Sequence, residues 1–169
     1  MNYHNITHED MLNGDGMRVV LWVAGCEHHC PECQNPETWC KDGGIPFDDS
    51  ALNELITELE KDYISGITFS GGDPLAPFNE SEVSNICYYV KHLAPGKTIW
   101  VYTGYTYEEL LERKSVFTND ILVKADVLVD GEYKKDLRNV NLKWRGSSNQ
   151  RVIDLRKTEK EGKVVLHCE

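Results

Sequence analysis

Three cysteines stand at Cys26, Cys30 and Cys33, spaced C-x3-C-x2-C in the string Gly25-Cys-Glu-His-His-Cys-Pro-Glu-Cys33. Four thiolates saturate a metal and make a closed, structural site. Three can hold three irons of a [4Fe–4S] cluster and leave the fourth iron open. An open coordination position is where a metal centre acts on something it binds. The other chemistry these residues suit is structural zinc, with His28, His29 or Cys40 as the fourth ligand. Zinc modules often carry two C-x2-C knuckles, and here there is one such pair. Residue types alone leave both readings open.

Further polar strings could do chemistry. In Ser70-Gly-Gly-Asp-Pro74 the paired glycines permit positive φ and let a ligand approach the backbone. Exposed amides and carbonyls there could bind the ammonium and carboxylate of an amino acid, with Asp73 as a partner for the ammonium. A plain tight turn ahead of a helix fits the same string. Thr103-Gly-Tyr105 and Asp130-Gly131 are candidates by position, although the tyrosines also suit packing and Asp-Gly also suits a turn. Trp144-Arg-Gly-Ser-Ser-Asn-Gln150 could line a site mouth, dock a partner or be a solvated loop.

The elements that must position these strings can be read from hydrophobic periodicity. Short β-rich runs predict strands over 18–24, 66–70, 98–103 and 126–130, with weaker candidates at 151–155 and 163–167. Apolar residues at helical spacing predict helices over 48–63 (Leu52, Leu55, Ile56, Leu59), 80–93 (Val83, Ile86, Cys87, Val90, Leu93) and 107–114. Strands alternating with helices imply right-handed crossovers and an α/β fold with mainly parallel strands. Four of the polar strings, at Cys26, Ser70, Thr103 and Asp130, directly follow or end a predicted strand. In parallel α/β folds the carboxyl ends of strands form the binding face, so the four strings should converge on one side.

Length and charge narrow the classes. The chain has 169 residues, enough for one domain but short of a complete eight-fold β/α barrel, which takes about 250. An incomplete, open barrel or strongly curved sheet is expected. The formal charge of −10 argues against a nucleic-acid or anionic-membrane surface, since both need an excess of lysine and arginine. The first ten residues have no basic start and no apolar run, and no stretch is long enough to span a membrane. A cytoplasmic location is therefore expected, and the six cysteines point to metal, catalysis or core positions rather than disulfides. Cys87 lies on an apolar helix face, Cys168 is next to the last residue, and Cys40 is the spare thiol near the cluster of three.

Taken in order along the chain, these residues resemble a known family. C-x3-C-x2-C followed by Gly-Gly-Asp-Pro is similar to the radical S-adenosylmethionine (radical SAM) enzymes. Met1-Asn-Tyr, Asn13-Gly-Asp-Gly16, Gly25-Cys26, Thr38-Trp39, Ser70 to Leu75, Trp100 with Thr103-Gly-Tyr105, Val129-Asp-Gly131 and Trp144 to Gln150 narrow the likeness. They resemble the glycyl-radical activating proteins of anaerobic ribonucleoside-triphosphate reductase, from residue 1 to about residue 150. The resemblance implies one radical SAM domain over 1–169, a partial β/α barrel with a core of 1–155 and a tail of unassigned role. It implies that Cys26, Cys30 and Cys33 hold a [4Fe–4S] cluster whose open iron is chelated by S-adenosylmethionine. Reductive cleavage would give a 5′-deoxyadenosyl radical that takes a hydrogen from a glycine of the reductase large subunit. Cofactor contacts are implied at Glu32, Cys33 and Gln34, and at Gly71, Gly72 and Asp73. Gln34 departs from the aromatic residue common in the superfamily, and a planar amide stacks more weakly on adenine. The family also implies a flavodoxin-like or other low-potential electron donor. A radical enzyme acting on a small molecule, and a zinc-stabilised interaction module, are the competing functions.

Overall fold

The computed structural model describes residues 1–168. Seven strands form one mixed sheet: β1 (Asn2–Asp10), β2 (Met17–Val23), β3 (Ile45–Pro46), β4 (Ile64–Gly71), β5 (Thr98–Tyr102), β6 (Val127–Asp130) and β7 (Arg151–Asp154). Their order across the sheet is β3-β1-β2-β4-β5-β6-β7. The helices are α1 (Asp49–Leu59), α2 (Glu80–Leu93), α3 (Tyr107–Glu112), α4 (Val116–Lys124) and α5 (Leu155–Glu161). Among the described residues no helix is long and apolar enough to cross a membrane.

Mainly parallel strands are found only in the middle of the sheet. β2, β4, β5 and β6 pair in parallel through helical crossovers. Both edges are antiparallel: β1 on β2, β3 on β1, and β7 on β6. The first edge is a hairpin. Asp10 Oδ1 accepts the backbone N–H of Leu12 and of Asn13, both at 2.8 Å, and so turns the chain between β1 and β2. The second edge follows from a connection that holds only a one-turn 3-10 helix, Lys135–Leu137, and no α-helix between β6 and β7, since a parallel return is usually made by an α-helical crossover.

Side-chain alternation gives the sheet two unlike faces. Val19, Leu21, Phe69, Ile99, Val101 and Leu128 point to one side, where they bury against Leu55, Ile86, Leu110 and Ile121 of the helices. The opposite face carries Arg18, Thr68, Ser70, Trp100 and Tyr102, with Val129 and Val152 beneath Trp144. Arg18 is wholly buried there. Its guanidinium is satisfied by oxygens that carry no charge: Thr68 Oγ1 at 2.7 Å, Ile67 O at 2.6 Å, Thr98 Oγ1 at 3.0 Å and the carbonyls of Asp15 and Thr98 at 3.1 Å. The ring of Trp100 lies 5.3 Å away. Burial pushes this guanidinium down to about 10, so it is still a cation at neutral pH.

Residues 163–167 do not form the expected strand. Leu166 makes one isolated antiparallel bridge with Ile153, and His167 N–H reaches Val152 O at 2.7 Å. β7 has four residues and ends at Asp154, whose side chain caps α5, so no longer ladder can form. His167 Nε2 bonds Asp15 Oδ2 at 2.6 Å and its ring meets Trp100 edge-on, which seals the tail against the Arg18 end of the sheet.

Candidate metal centre

The four polar strings do converge at the carboxyl ends of β2, β4, β5 and β6. The cysteine loop leaves β2 at Ala24 and is closed on itself by two backbone bonds, Gly25 N–H to Thr38 O (2.7 Å) and Cys26 N–H to Trp39 O (3.1 Å). Within it, Cys33 N–H bonds Cys30 O at 3.0 Å. His29 and Glu32 hold left-handed backbone at φ 47° and 56°, a conformation that non-glycine residues rarely adopt. The loop is thus turned tightly twice, once ahead of Cys30 and once ahead of Cys33.

Cys26, Cys30 and Cys33 are free thiols, each half-buried. Backbone N–H groups oppose the effect of burial on two of the sulfurs and bond the third. Burial pushes the Cys26 thiol up to about 11, opposed by N–H groups of His28 and His29. Burial likewise raises Cys30, opposed by the N–H of Tyr133. Cys33 Sγ accepts Asn35 N–H at 3.4 Å. Such donors stabilise negative sulfur and tune a cluster's potential. The donor set therefore fits an iron–sulfur cluster with three protein ligands.

A structural zinc site would need a fourth ligand from the neighbouring histidines or Cys40. Both nitrogens of His28 are engaged, Nε2–H with Asp73 Oδ2 and Nδ1–H with Glu132 Oε1, each at 2.9 Å. Burial alone would lower this imidazole, but the bonds and charges of Asp73 and then Glu132 outweigh it and raise it to about 9. With both nitrogens so engaged, neither is turned toward the cysteines as a ligand. His29 packs edge-on against Trp39 at 4.8 Å, and Cys40 is exposed beyond the loop's closing bonds.

The Gly-Gly-Asp turn fastens the loop to the sheet. Gly72 N–H bonds Val23 O and Asp73 N–H bonds Gly25 O, both at 2.8 Å. A Cβ on Gly72 would lie 2.4 Å from Gly25 O and 2.8 Å from Gly25 C, both backbone atoms. Gly72→Ala must therefore push the cysteine loop off β4. Overpacking of this kind costs about 1–3 kcal/mol. A Tm lower by several degrees, together with reduced iron uptake, is the expected result in thermal melts and metal analysis.

Asp73 is buried beneath that turn. Its Oδ1 accepts Leu75 N–H (2.8 Å) and Thr103 Oγ1–H (2.9 Å), and its Oδ2 accepts Gly104 N–H and His28 (both 2.9 Å). Gly104 is packed so closely under His28 that a Cβ would lie 2.4 Å from the ring. Asp130 is likewise buried, bonded to Tyr107 N–H at 2.8 Å and paired with Arg151. Both aspartates brace the loops from below.

A cavity of about 480 Å³ opens beside the cysteine loop. Cys33 and Gln34 line it from the loop, and Trp22, Ser70 and Tyr102 from the strand ends. Tyr133, Trp144 and Arg145 complete its wall. Glu32 faces away, exposed and ion-paired with Lys135, over a shallower hollow that Gln34 shares. Of the cofactor contacts implied by resemblance, Cys33 and Gln34 line the cavity. Gly71, Gly72 and Asp73 do not line it but directly follow Ser70, which does, and the N–H groups of Gly72 and Asp73 are bonded to the carbonyls of Val23 and Gly25. Sequence reasoning passed over Trp22, Tyr133 and the His28–Glu132 bond. Trp22 was within reach, because it stands two and four residues from Val20 and Arg18 on one face of β2.

An α/β sheet bearing a three-cysteine loop at its strand ends defines an iron–sulfur protein, and the family of 4Fe-4S single cluster domains matches residues 12–153. Curated relatives narrow this. The chain is 44% identical over 152 residues to the anaerobic ribonucleoside-triphosphate reductase-activating protein of Enterobacteria phage T4, covering 90% of this chain and 93% of that one. It is 41% identical over 158 residues to the protein of that name from Escherichia coli (strain K12), covering 92% and 100%. For Pasteurella multocida (strain Pm70) the identity is 40% over 152 residues, covering 89% and 95%. The chain belongs to the family of anaerobic ribonucleoside-triphosphate reductase-activating proteins.

Proposed function

We propose that this chain activates anaerobic ribonucleoside-triphosphate reductase by generating a glycyl radical on its large subunit. The reaction is reductive cleavage of S-adenosylmethionine at a [4Fe–4S] cluster held by Cys26, Cys30 and Cys33. When bound, the cluster supplies the electron that breaks the sulfonium, passed to it from a flavodoxin-like or other low-potential donor. The observation that carries this reading is the loop of three half-buried free thiols at the carboxyl end of β2, with Cys33 lining a cavity that Ser70, at the start of the strand-end turn, also lines.

The chain's own residues bind, orient and exclude water. The main chain of Gly71 and Gly72 offers polar groups to the amino-acid end of the cofactor. Cys33 and Gln34 flank its adenosyl end, while Trp22, Tyr102 and Trp144 supply apolar walls. His28 ties the cysteine loop to the β4 and β6 loops through Asp73 and Glu132 and keeps that mouth in shape. The sheet, read as a partial β/α barrel of the radical SAM type, is open at both edges. That openness suits a polypeptide substrate. The relatives' names point to anaerobic ribonucleoside-triphosphate reductase as the partner, and the cytoplasm is where it would be met.

Anaerobic protein reconstituted with iron and sulfide should show a broad charge-transfer absorbance that dithionite bleaches. Adding S-adenosylmethionine, reductant and the reductase large subunit should then give a glycyl doublet in the electron paramagnetic resonance spectrum. Stoichiometric zinc without the absorbance would defeat the cluster. Cofactor cleavage without the doublet, alongside turnover of a metabolite, would defeat the protein substrate.

A further inference from the structure

The string Trp144 to Gln150 is held in an unusual shape. Gln150 brackets it from within: its Oε1 accepts Gly146 N–H at 2.9 Å and Ser147 N–H at 3.1 Å, while its Nε2 donates to Gly131 O at 2.9 Å. Trp144 takes left-handed backbone at φ 61°, costly for so bulky a residue. Its ring is held against Trp100, with centroids 6.0 Å apart. This strained corner delivers the next residue, Arg145, into the wall of the cavity.

Among the described residues Arg145 is the only Lys, Arg, Asp or Glu lining that cavity. Among the described residues its guanidinium makes no hydrogen bond or ion pair, and its Nε is buried without a partner. The protein has abundant carboxylates, with 28 Asp and Glu against 18 Lys and Arg. The three other arginines that face the folded interior are matched: Arg18 to carbonyls and hydroxyls, Arg113 to Glu80, and Arg151 to Asp130 and Glu108. A planar guanidinium is built for bidentate capture of a carboxylate.

We propose that Arg145 is the anion anchor of the cavity, where its guanidinium receives a carboxylate. The anchor rests on the function proposed above, which offers two sources. One is the amino-acid carboxylate of S-adenosylmethionine; the other is an acidic group on the reductase segment that enters the cavity. Trp144 and Gln150 act as positioning residues for it, holding the corner that aims the guanidinium.

The test is equilibrium binding to anaerobically reconstituted protein, with wild type, Arg145→Gln and Arg145→Lys compared at equal cluster absorbance and equal circular dichroism. The ligands are S-adenosylmethionine, its decarboxylated counterpart and the reductase large subunit. A charge-assisted bond should be worth about ten- to hundredfold in affinity. Arg145→Gln should weaken the carboxylate-bearing ligand by that factor, with partial recovery in Arg145→Lys, which keeps charge but loses the fork. Weaker S-adenosylmethionine with unchanged decarboxylated counterpart supports the anchor and assigns it to the cofactor. Unchanged S-adenosylmethionine with a weaker large subunit supports it and assigns it to the partner. Wild-type affinity for all three ligands in both variants overturns the anchor and leaves the proposed function standing. Failure of the wild type itself to bind S-adenosylmethionine overturns that function and the anchor with it.

Discussion

Serine in place of Cys26, Cys30 or Cys33 leaves a folded chain that retains little iron and no measurable cofactor cleavage. The thiols are half-buried and form no disulfide, so exchanging sulfur for oxygen removes a soft ligand while costing the fold little. Under the proposed function each cysteine would carry one iron, and no spare thiol stands within the loop between Gly25 and Trp39. The loop's own closing bonds, Gly25 to Thr38 and Cys26 to Trp39, involve backbone alone and survive the change. Iron and sulfide content after anaerobic reconstitution is the measurement, with melting temperature as the control. Cys168→Ala, on the far side by the Trp100 cluster, should load as wild type. Equal loading in all four variants would remove the cysteine loop from the chemistry.

The largest loss of stability is expected for Asp73→Ala. That carboxylate serves four groups at once: Leu75 N–H, Gly104 N–H, the Thr103 hydroxyl and the His28 imidazolium. Removing it strands a buried cation and three neutral donors. Breaking a buried charge pair from one side costs about 3–5 kcal/mol, a large part of the roughly 5–15 kcal/mol that holds a domain together. Chemical denaturation should show a midpoint shifted down by that amount with little change in slope. The cluster should also be lost more readily, because His28 then fastens the cysteine loop only to the exposed Glu132. Asp73→Asn keeps the shape and one acceptor oxygen and should lie between. A wild-type midpoint in Asp73→Ala would mean the network carries no weight.

How far these features were readable depended on whether a periodic signal survived. The middle strands and α2 were legible because their apolar residues recur cleanly, and α2 spans the expected 80–93. β1 was not. Register shifts between Tyr3 and Asn5 and between Thr7 and Asp10 put its buried residues, Tyr3 and Ile6, three apart and erase the alternation of two. α4 hid for a different reason. Val116 and Val123 are apolar yet exposed, so its stripe is blurred. α5 buries only Leu155 and Thr158 and looks like a charged tail. The cysteine spacing and the strand-end turns were visible as motifs, but their division of labour was not. Asp73 reads as a partner for an ammonium group and Asp130 as a site candidate, because a carboxylate at a strand end suits binding or bracing. Their bonds to neighbouring loops, which only the structure displays, give both a bracing role.

The cavity's lining from the cysteine loop and the strand ends has a kinetic corollary. Under the proposed function, a large polypeptide would sit over that same face. Bound reductase would then cover the small cofactor, so an excess of reductase should slow exchange of the nucleoside beneath it.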